Sequence, residues 1–315
     1  MEKLVLAPRA STILYNLLVT RRDRRPFLLQ ANICSIVPLT FMKAGMPFEF
    51  VDIAPVTPQM DLQVAAHLLA TRRFGGLLYA HTYGDPSTPL DFFSEIKTLD
   101  PSILLIDDRA LCVPDLVSDP ESHADVVLYS TGCAKTLDLG FGGYGFMKDT
   151  LPYRQHVLPY CVGDREAQEE ACRQIIATGN PFVYQDSNWL QTEGVLPEWS
   201  VYCRQIQDEL DANLAKRRII NAVYLSRLPA EMQLPSACQI WRFNLCLLRR
   251  NDVLKAIFAA GLFASAHYTS LAGIMAPGIC PYAEKLASVI INLFNDHHFT
   301  TNMAEETCDI ILKLM

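Results

Sequence analysis

The chain has 315 residues, of which 50% are hydrophobic and 19% are charged, and its formal net charge is −7. A chain of this length can bury a large hydrophobic core, and we expect one large domain followed by a smaller one. The acidic balance argues against a nucleic-acid-binding surface, because recognition of phosphates needs a basic face. No run of residues approaches the apolar length of a membrane helix, and the first residues lack a signal-peptide pattern, so we expect a cytoplasmic protein without a membrane partner.

The spacing of cysteines and histidines bears on metal and redox sites. The 10 cysteines are scattered without a close CxxC pair, and the 7 histidines form no helical ligand pair. We therefore expect no metal site. Most cysteines should be small core residues in a reducing compartment.

In the first half, short apolar runs of β-forming residues alternate with stretches that can form helices. The runs are FLLQANI (27–33), PFEFVDI (47–53), GGLLYAH (75–81), SILLIDD (102–108) and DVVLYST (125–131). Strands that are apolar on both faces and alternate with helices are typical of a parallel sheet covered on both sides. The pattern predicts an α/β fold.

A basic run, RRDRR (21–25), follows the first predicted helix. Its simplest role is to complement the C-terminal dipole of that helix. Binding of an anionic nucleotide is the alternative.

From about residue 200 the pattern changes to a long amphipathic helix, with Ile206, Leu210, Leu214 and Ile219 at helical spacing. A β-like run, QIWRFNLCLL, and further helices follow, which predicts a second, α+β domain. We place the large domain at 1–190 and the smaller one at 191–315, with the boundary within a stretch that contains Pro, Gly and Asn.

Polar residues end several of the predicted strands. His81 ends one strand, Asp107 and Asp108 end another, and Ser130 lies near the end of the next. In open α/β sheets, ligands bind outside the carboxyl ends of the strands. Lys135 follows in a turn of small residues, and a buried ammonium is costly unless it is paired, deprotonated or used covalently.

Pyridoxal phosphate is the commonest carbonyl partner of a lysine with a covalent role, and its ring serves as an electron sink. Such a site needs a carboxylate for the pyridine nitrogen, which Asp107 or Asp108 can supply. It also needs donors for the phosphate. Ser130 can donate, and so can Ser11 and Thr12 at the start of a predicted helix, where the dipole favours an anion.

These parts resemble those of the DegT/DnrJ/StrS-type aminotransferases, which use pyridoxal phosphate. DVVLYSTGCAKTLDLGFGG (125–143) is similar to the family's lysine segment, and LLIDDRAL (104–111) is similar to its I-E-D-A-A-Q segment. LLYAHTYGDP (77–86) resembles V-H-L-Y-G, and GLFASAHYTSL (261–271) resembles G-I-x-T-x-x-H-Y-x-P-L. The resemblance covers most of the chain and implies an α/β fold of the aspartate-aminotransferase type, called fold type I.

The resemblance also implies roles for particular residues. Lys135 and Asp108 would be catalytic: Lys135 would hold the cofactor and then move a proton as a general base, and Asp108 rather than Asp107 would keep the pyridine nitrogen protonated. His267 and Tyr268 would lie on the substrate side, with packing as the alternative role. The implied cofactor-binding residues are Ala10, Ser11, Thr12, Cys34, His81, Asp108, Ala110, Ser130, Lys135 and Asn188.

The implied reaction is transfer of an amino group from Glu or Gln to a keto group, expected on a nucleotide-linked sugar or a related small molecule. The implied assembly is a homodimer with active sites between the subunits, in which Asn188 would reach the phosphate of the partner. Two alternatives stay open. One is a pyridoxal-phosphate-dependent lyase or dehydratase of the same fold, and the other is a catalytically silent regulatory relative.

Three positions depart from the family pattern. Ala10 stands where the family has Gly in its phosphate segment, Cys34 stands where an aromatic ring would stack on the cofactor, and Leu111 replaces a Gln or His. The sequence also begins almost at the phosphate helix, and we expect the family's N-terminal arm to be absent together with part of the substrate surface. Cofactor contacts should therefore be plainer than those of the family.

Each candidate also has a purely structural interpretation. Lys135 could be an exposed loop lysine, Asp108 a turn residue and His81 a satisfied core histidine. Ser11 and Thr12 could cap the first helix, which is compatible with phosphate binding.

Overall fold

The computed structural model describes residues 2–119 and 121–315. Strands and helices alternate along the first half of the chain. The elements there are β1 (Glu2–Ala7), α1 (Ala10–Thr20), β2 (Phe27–Gln30), α2 (Ile36–Lys43), β3 (Phe48–Val51), α3 (Leu62–Ala70), β4 (Gly76–Ala80), α4 (Leu90–Leu99), β5 (Leu104–Asp108), β6 (Val126–Ser130) and β7 (Gly143–Lys148). The second half contains α5 (Val162–Thr178), α6 (Trp199–Arg227), β8 (Phe243–Cys246), α7 (Arg250–Ala259), β9 (Ala264–Ser265), α8 (Pro281–Val289), β10 (Ile290–Leu293) and α9 (Thr301–Leu314).

Strands β1 to β7 form a single sheet in the order β1-β7-β6-β5-β4-β2-β3. Strands β2 to β6 pair in parallel, whereas β7 runs antiparallel to both β6 and β1. The apolar runs of the sequence correspond to β2–β6, and every residue of β2, β4 and β6 is buried. The predicted α/β fold with a mostly parallel sheet is therefore confirmed.

Helices cover both faces of this sheet, as the apolar strands require. Helices α1 and α2 pack on one face, in a core that includes Leu17 and Phe41. Helices α3 and α4 pack on the other face with the first turns of α6, in a core that includes Phe93 and Tyr202. The carboxyl edge of the sheet stays open between these two layers.

A third core joins α6, α7 and α9 to a small antiparallel sheet of order β8-β10-β9. Helix α6 contributes to two cores, because Ile206 packs against the large sheet while Ile220 and Tyr224 pack in the third core. The domain boundary near residue 190 therefore stays a prediction. The prediction that Ile219 belongs to the apolar face of α6 was wrong, because Ile219 is exposed and the adjacent Ile220 is buried instead.

The basic run RRDRR lies at the amino end of the parallel strands. Arg24 donates hydrogen bonds to the carbonyls of Leu18 near the end of α1 (3.4 Å) and of Gly45 after α2 (2.7 Å). Arg21 donates to the carbonyl of Gly75, directly before β4 (2.6 Å). These contacts fit the predicted complement to helix ends, and they lie at the opposite edge of the sheet from the predicted site.

Among the helices of the described residues, none is both long and apolar enough to cross a membrane. The same residues contain no group of three or more His, Cys, Asp or Glu side chains that could hold a metal ion.

Candidate active site

A cavity of about 670 Å³ opens at the carboxyl edge of the large sheet. Its size falls within the range of small-molecule sites. The walls come from the start of α1, the loop between β2 and α2, the ends of β4, β5 and β6, one face of α5, and the segment 266–271. Lys135 and Asp108 both line it. The parallel pairing explains why they meet, because Asp108 pairs with Leu128 on β6, the strand that leads to the lysine turn.

Lys135 is half-buried in a tightly held turn after β6. Ala134, the residue before it, has a φ of 60°, which is unusual for a residue with a side chain. Two hydrogen bonds fix this residue: its N–H donates to the carboxylate of Asp138 (2.7 Å), and its carbonyl accepts from the indole N–H of Trp241 (2.7 Å). The turn thus sets the direction of the lysine side chain.

Arg217 of α6 holds the same turn from the second half of the chain. The side chain is buried and donates to the carbonyls of Thr136 (2.9 Å), Lys135 (3.3 Å) and Trp241 (2.6 Å). Burial lowers the pKa of Arg217 to about 10, against the raising effect of Asp296 and Asp138. Sequence reasoning did not find this residue, because it lies in the basic run KRR (216–218) of an amphipathic helix, where an arginine is expected to be exposed.

The neighbouring carboxylates Asp107 and Asp108 lie in different environments. Asp108 lines the cavity and accepts the N–H of Ala110 at 3.0 Å. Its pKa is raised because burial outweighs the opposing effects of Lys135 and of that hydrogen bond. Asp107 is fully buried on the other side of the strand, as strand alternation predicted.

Asp107 pairs with two basic side chains, His81 and Arg109. It accepts hydrogen bonds from His81 Nε2 (2.6 Å) and Arg109 Nε (2.7 Å). Burial raises the pKa of Asp107, but His81 and Arg109 more than offset this effect, so the net shift is downward. Asp107 therefore has a structural role, and Asp108 is the carboxylate that can face a ligand.

His81 is a satisfied core histidine. Its ring is fully buried, with Nε2 on Asp107 and Nδ1 at 2.6 Å from the carbonyl oxygen of Asp85. The residue borders the cavity, but neither ring nitrogen is free for a ligand. The alternative that the sequence left open is thus the one that the structure favours.

The start of α1 forms one end of the cavity. Ala10 and Ser11 line it, and the helix begins without a side-chain cap and without an acidic residue in its first turn. This arrangement favours an anion near the first amide groups. Ser130, which is 7% exposed, lies on the same wall and accepts the N–H of Gly132 at 3.3 Å.

Two predicted phosphate ligands lie elsewhere. Thr12 is buried outside the cavity lining, and its hydroxyl donates to the carbonyl of Gln191 at 2.6 Å. Asn188 does not line the cavity of its own chain, and its N–H donates to the carboxylate of Asp164 at 2.7 Å. Thr12 lies away from the site because in a helix it follows Ser11 by about 100° and therefore faces the packed side.

Cys34, Ala110 and Leu111 line the cavity as the resemblance implied. Cys34 is half-buried, so the wall where an aromatic ring was expected carries only a small side chain. Helix α5 faces the cavity with residues at helical spacing that the sequence analysis did not single out. They are Arg165, Gln168, Glu169, Cys172, Arg173, Ile176 and Ala177.

His267 and Tyr268 lie on the wall contributed by the second half of the chain. The ring of Tyr268 packs against those of Tyr83 and Trp241, with centroids 6.3 and 6.0 Å away, and these two rings also pack on each other at 6.5 Å. The side chain of His267 is accessible from the cavity, and its pKa is lowered mainly by desolvation from the surrounding protein and further by the positive charges of Arg242 and Lys135. Tyr268 thus makes the packing contacts of the alternative role, His267 can contact a ligand, and the substrate role of both residues stays a prediction.

No family model matches the chain, and no curated protein matches it in sequence. Solved structures do share its fold. The putative sugar aminotransferase Spr1654 from Streptococcus pneumoniae, in its PMP form, is 16% identical with a TM-score of 0.70, and the match covers 99% of this chain and 88% of that one. The chain has the fold of these aminotransferases.

Two further structures give the same result. A DegT DnrJ EryC1 StrS aminotransferase from Brucella abortus is 15% identical with a TM-score of 0.69, covering 99% of this chain and 85% of that one. DesV from S. venezuelae, solved in complex with a ketimine intermediate, is 18% identical with a TM-score of 0.70, covering 99% and 84%. The prediction of fold type I is confirmed, and the structural likeness agrees with the family resemblance of the motifs.

Proposed function

We propose that the chain is a pyridoxal-phosphate-dependent aminotransferase. The observation that carries this proposal is the convergence of Lys135 and Asp108 in one cavity, from neighbouring strand ends of a fold type I sheet. The Schiff-base lysine and the pyridine carboxylate are the two groups that such chemistry requires from the protein.

The residues of the cavity fit this cofactor. The lining includes the Asp108 carboxylate, and Ser11, Ser130 and the start of α1 offer donors for a phosphate. The Lys135 side chain lines the same cavity, from a turn in which Ala134 is held by two hydrogen bonds. When bound, pyridoxal phosphate supplies an electron sink that stabilises negative charge at the reacting carbon.

The chain's own residues then have distinct tasks. Lys135 Nζ would hold the cofactor and would move a proton as a general base. The Asp108 carboxylate would accept a hydrogen bond from the protonated pyridine nitrogen, and Lys135 and the N–H of Ala110 favour the ionised form of Asp108. The aromatic rings packed around Tyr268 form an apolar wall on one side of the cavity.

For substrates, we propose that Glu or Gln donates the amino group and that a keto group of a nucleotide-linked sugar accepts it. Sugar aminotransferases among the structural neighbours support this choice. We also propose a cytoplasmic homodimer in which Asn188 reaches the phosphate site of the partner. Its position outside the cavity of its own chain is compatible with that role.

The first test is uptake of pyridoxal phosphate by the purified protein and by Lys135→Ala, with Lys255→Ala as the matched control on an exposed helix position. Wild type and K255A should show the absorbance band of a lysine-bound cofactor, and borohydride reduction should fix the cofactor on the peptide containing Lys135. K135A should show neither. Absence of the band in wild type would refute the proposal.

A second step separates the reaction classes. Glutamate or glutamine should convert the bound cofactor to its amine form, and a keto sugar nucleotide should reverse that change. A cofactor that binds at Lys135 but responds to neither amino donor would instead favour a lyase or a silent relative.

A further inference from the structure

The guanidinium of Arg9 lies beside the end of the cavity where α1 begins. Arg9 directly precedes α1 and lines the cavity with Ala10 and Ser11. A Cβ atom added to Gly132 would lie 3.2 Å from Nη1 of Arg9 and 3.5 Å from the hydroxyl oxygen of Ser130. The guanidinium therefore reaches the space between the end of β6 and the start of α1.

Within the described ranges, Arg9 has few partners. Its side chain donates one hydrogen bond, from Nη1 to the carbonyl of Gly140 at 3.3 Å. No carboxylate oxygen in residues 2–119 or 121–315 lies within 4.0 Å of its nitrogens. Since a guanidinium carries five N–H donors, most of them remain for a ligand.

Ser130 provides an independent sign of a ligand in the same space. Ser130 is only 7% exposed, and its hydroxyl oxygen accepts a hydrogen bond from the N–H of Gly132. In the described part of the chain, its hydroxyl proton has no acceptor. A buried hydroxyl with a free proton, a guanidinium without a carboxylate partner among the described residues and a helix N-terminus together complement an anion.

We propose that Arg9 binds the cofactor's phosphate and makes the site select pyridoxal phosphate over unphosphorylated pyridoxal. The inference rests on the proposed function and adds the basis of cofactor selectivity. A phosphate monoester carries nearly two negative charges at neutral pH, more than one helix terminus and neutral hydroxyls balance. Arginine can bind it through two parallel N–H donors.

The test compares the affinities of wild type, Arg9→Met and Arg9→Lys for pyridoxal phosphate and for pyridoxal, followed by absorbance. R9M should bind pyridoxal phosphate roughly 10- to 100-fold more weakly, as expected for loss of a charge-assisted hydrogen bond, and should bind pyridoxal as wild type does. R9K should recover part of the affinity. Arg22→Met is the matched control, because Arg22 is exposed at the opposite edge of the sheet.

A measurement without the cofactor completes the test. Inorganic phosphate should raise the Tm of cofactor-free wild type and R22M more than that of R9M, because a ligand that binds the native state stabilises it. Equal phosphate responses, or an equal loss of affinity for both forms of the cofactor, would overturn the role of Arg9. If wild type takes up no pyridoxal phosphate, the proposed function fails instead, so the two failures are distinct.

Discussion

Replacement of Gly143 by alanine would place a methyl group where the backbone of α1 already lies. A Cβ at this position would stand 2.2 Å from the nitrogen of Ala10 and 2.7 Å from both the Cα of Ala10 and the carbonyl carbon of Arg9. Gly143 also pairs with Ser130 on β6. The glycine therefore lets the start of α1 lie against the strand end that carries the predicted phosphate donors.

The methyl group cannot be accommodated by a side-chain rotation, because its contacts are backbone atoms. The start of α1 must move away from β7, and overpacking of this kind costs about 1–3 kcal/mol or more. Tm should fall by roughly 2–4 °C for each kcal/mol. Because Ser11 moves with the helix, the affinity for pyridoxal phosphate should fall as well.

The assay is thermal unfolding of G143A with and without pyridoxal phosphate, beside a titration of the cofactor. Gly163→Ala is the matched control, since its Cβ would meet only the sulfur of Cys161 at an ordinary 3.8 Å. G163A lies within α5 and should be neutral or slightly stabilising. Wild-type Tm and wild-type cofactor affinity in G143A would refute the close approach of α1 to β7.

Three further changes test the carboxylates and the lysine turn. Ionised Asp107 stabilises the fold above its unfolded pKa of about 3.9, and this contribution is lost as pH falls through the lower folded pKa. The Tm of D107N should therefore fall less steeply with acidification than the Tm of wild type. At neutral pH, D107N should be about 3–5 kcal/mol less stable than wild type. The pKa of Asp108 is raised, so this carboxyl begins to destabilise the cofactor-free fold once pH exceeds its unfolded pKa of about 3.9. D108N should therefore raise Tm at neutral pH while abolishing amino transfer, and a lower Tm would contradict this sign. Arg217→Met removes the donor that the carbonyls of Thr136 and Trp241 accept from, and each lost hydrogen bond should cost about 1–3 kcal/mol of folding free energy. Tm should fall, and reductive trapping of the cofactor at Lys135 should slow. Unchanged trapping would show that Arg217 contributes only to stability.

The parallel strands were predictable because burial on both faces leaves long apolar runs in the sequence. Strands β1 and β7 were not predicted. The segment GYGFMK of β7 contains two glycines, which weaken the strand pattern. At least one of them is explained only by tertiary structure, since Gly143 makes room for the backbone of α1.

The candidate site was predictable where its residues end strands, and less so elsewhere. Lys135, Asp108 and Ser130 follow from the strand pattern and the motif order, and all three line the cavity. Arg217 acts from α6 through hydrogen bonds to backbone carbonyls, and no local pattern encodes such partners. The cavity face of α5 was missed because the helix is polar overall, with Gln168 and Cys172 as its only buried residues among those described.

The end of β5 shows how one sequence motif can create two opposite electrostatic environments. Asp107 and Asp108 are adjacent, so the pleat directs their side chains to opposite faces of the sheet. On the covered face, His81 and Arg109 hold Asp107 ionised and lower its pKa. On the open face, Asp108 has no paired arginine within the described chain and keeps a raised pKa, opposed mainly by Lys135. A protonated pyridine ring would supply a cation on this face, so the carboxylate whose ionised form the protein itself favours less is the one that lines the cavity and can bind the cofactor.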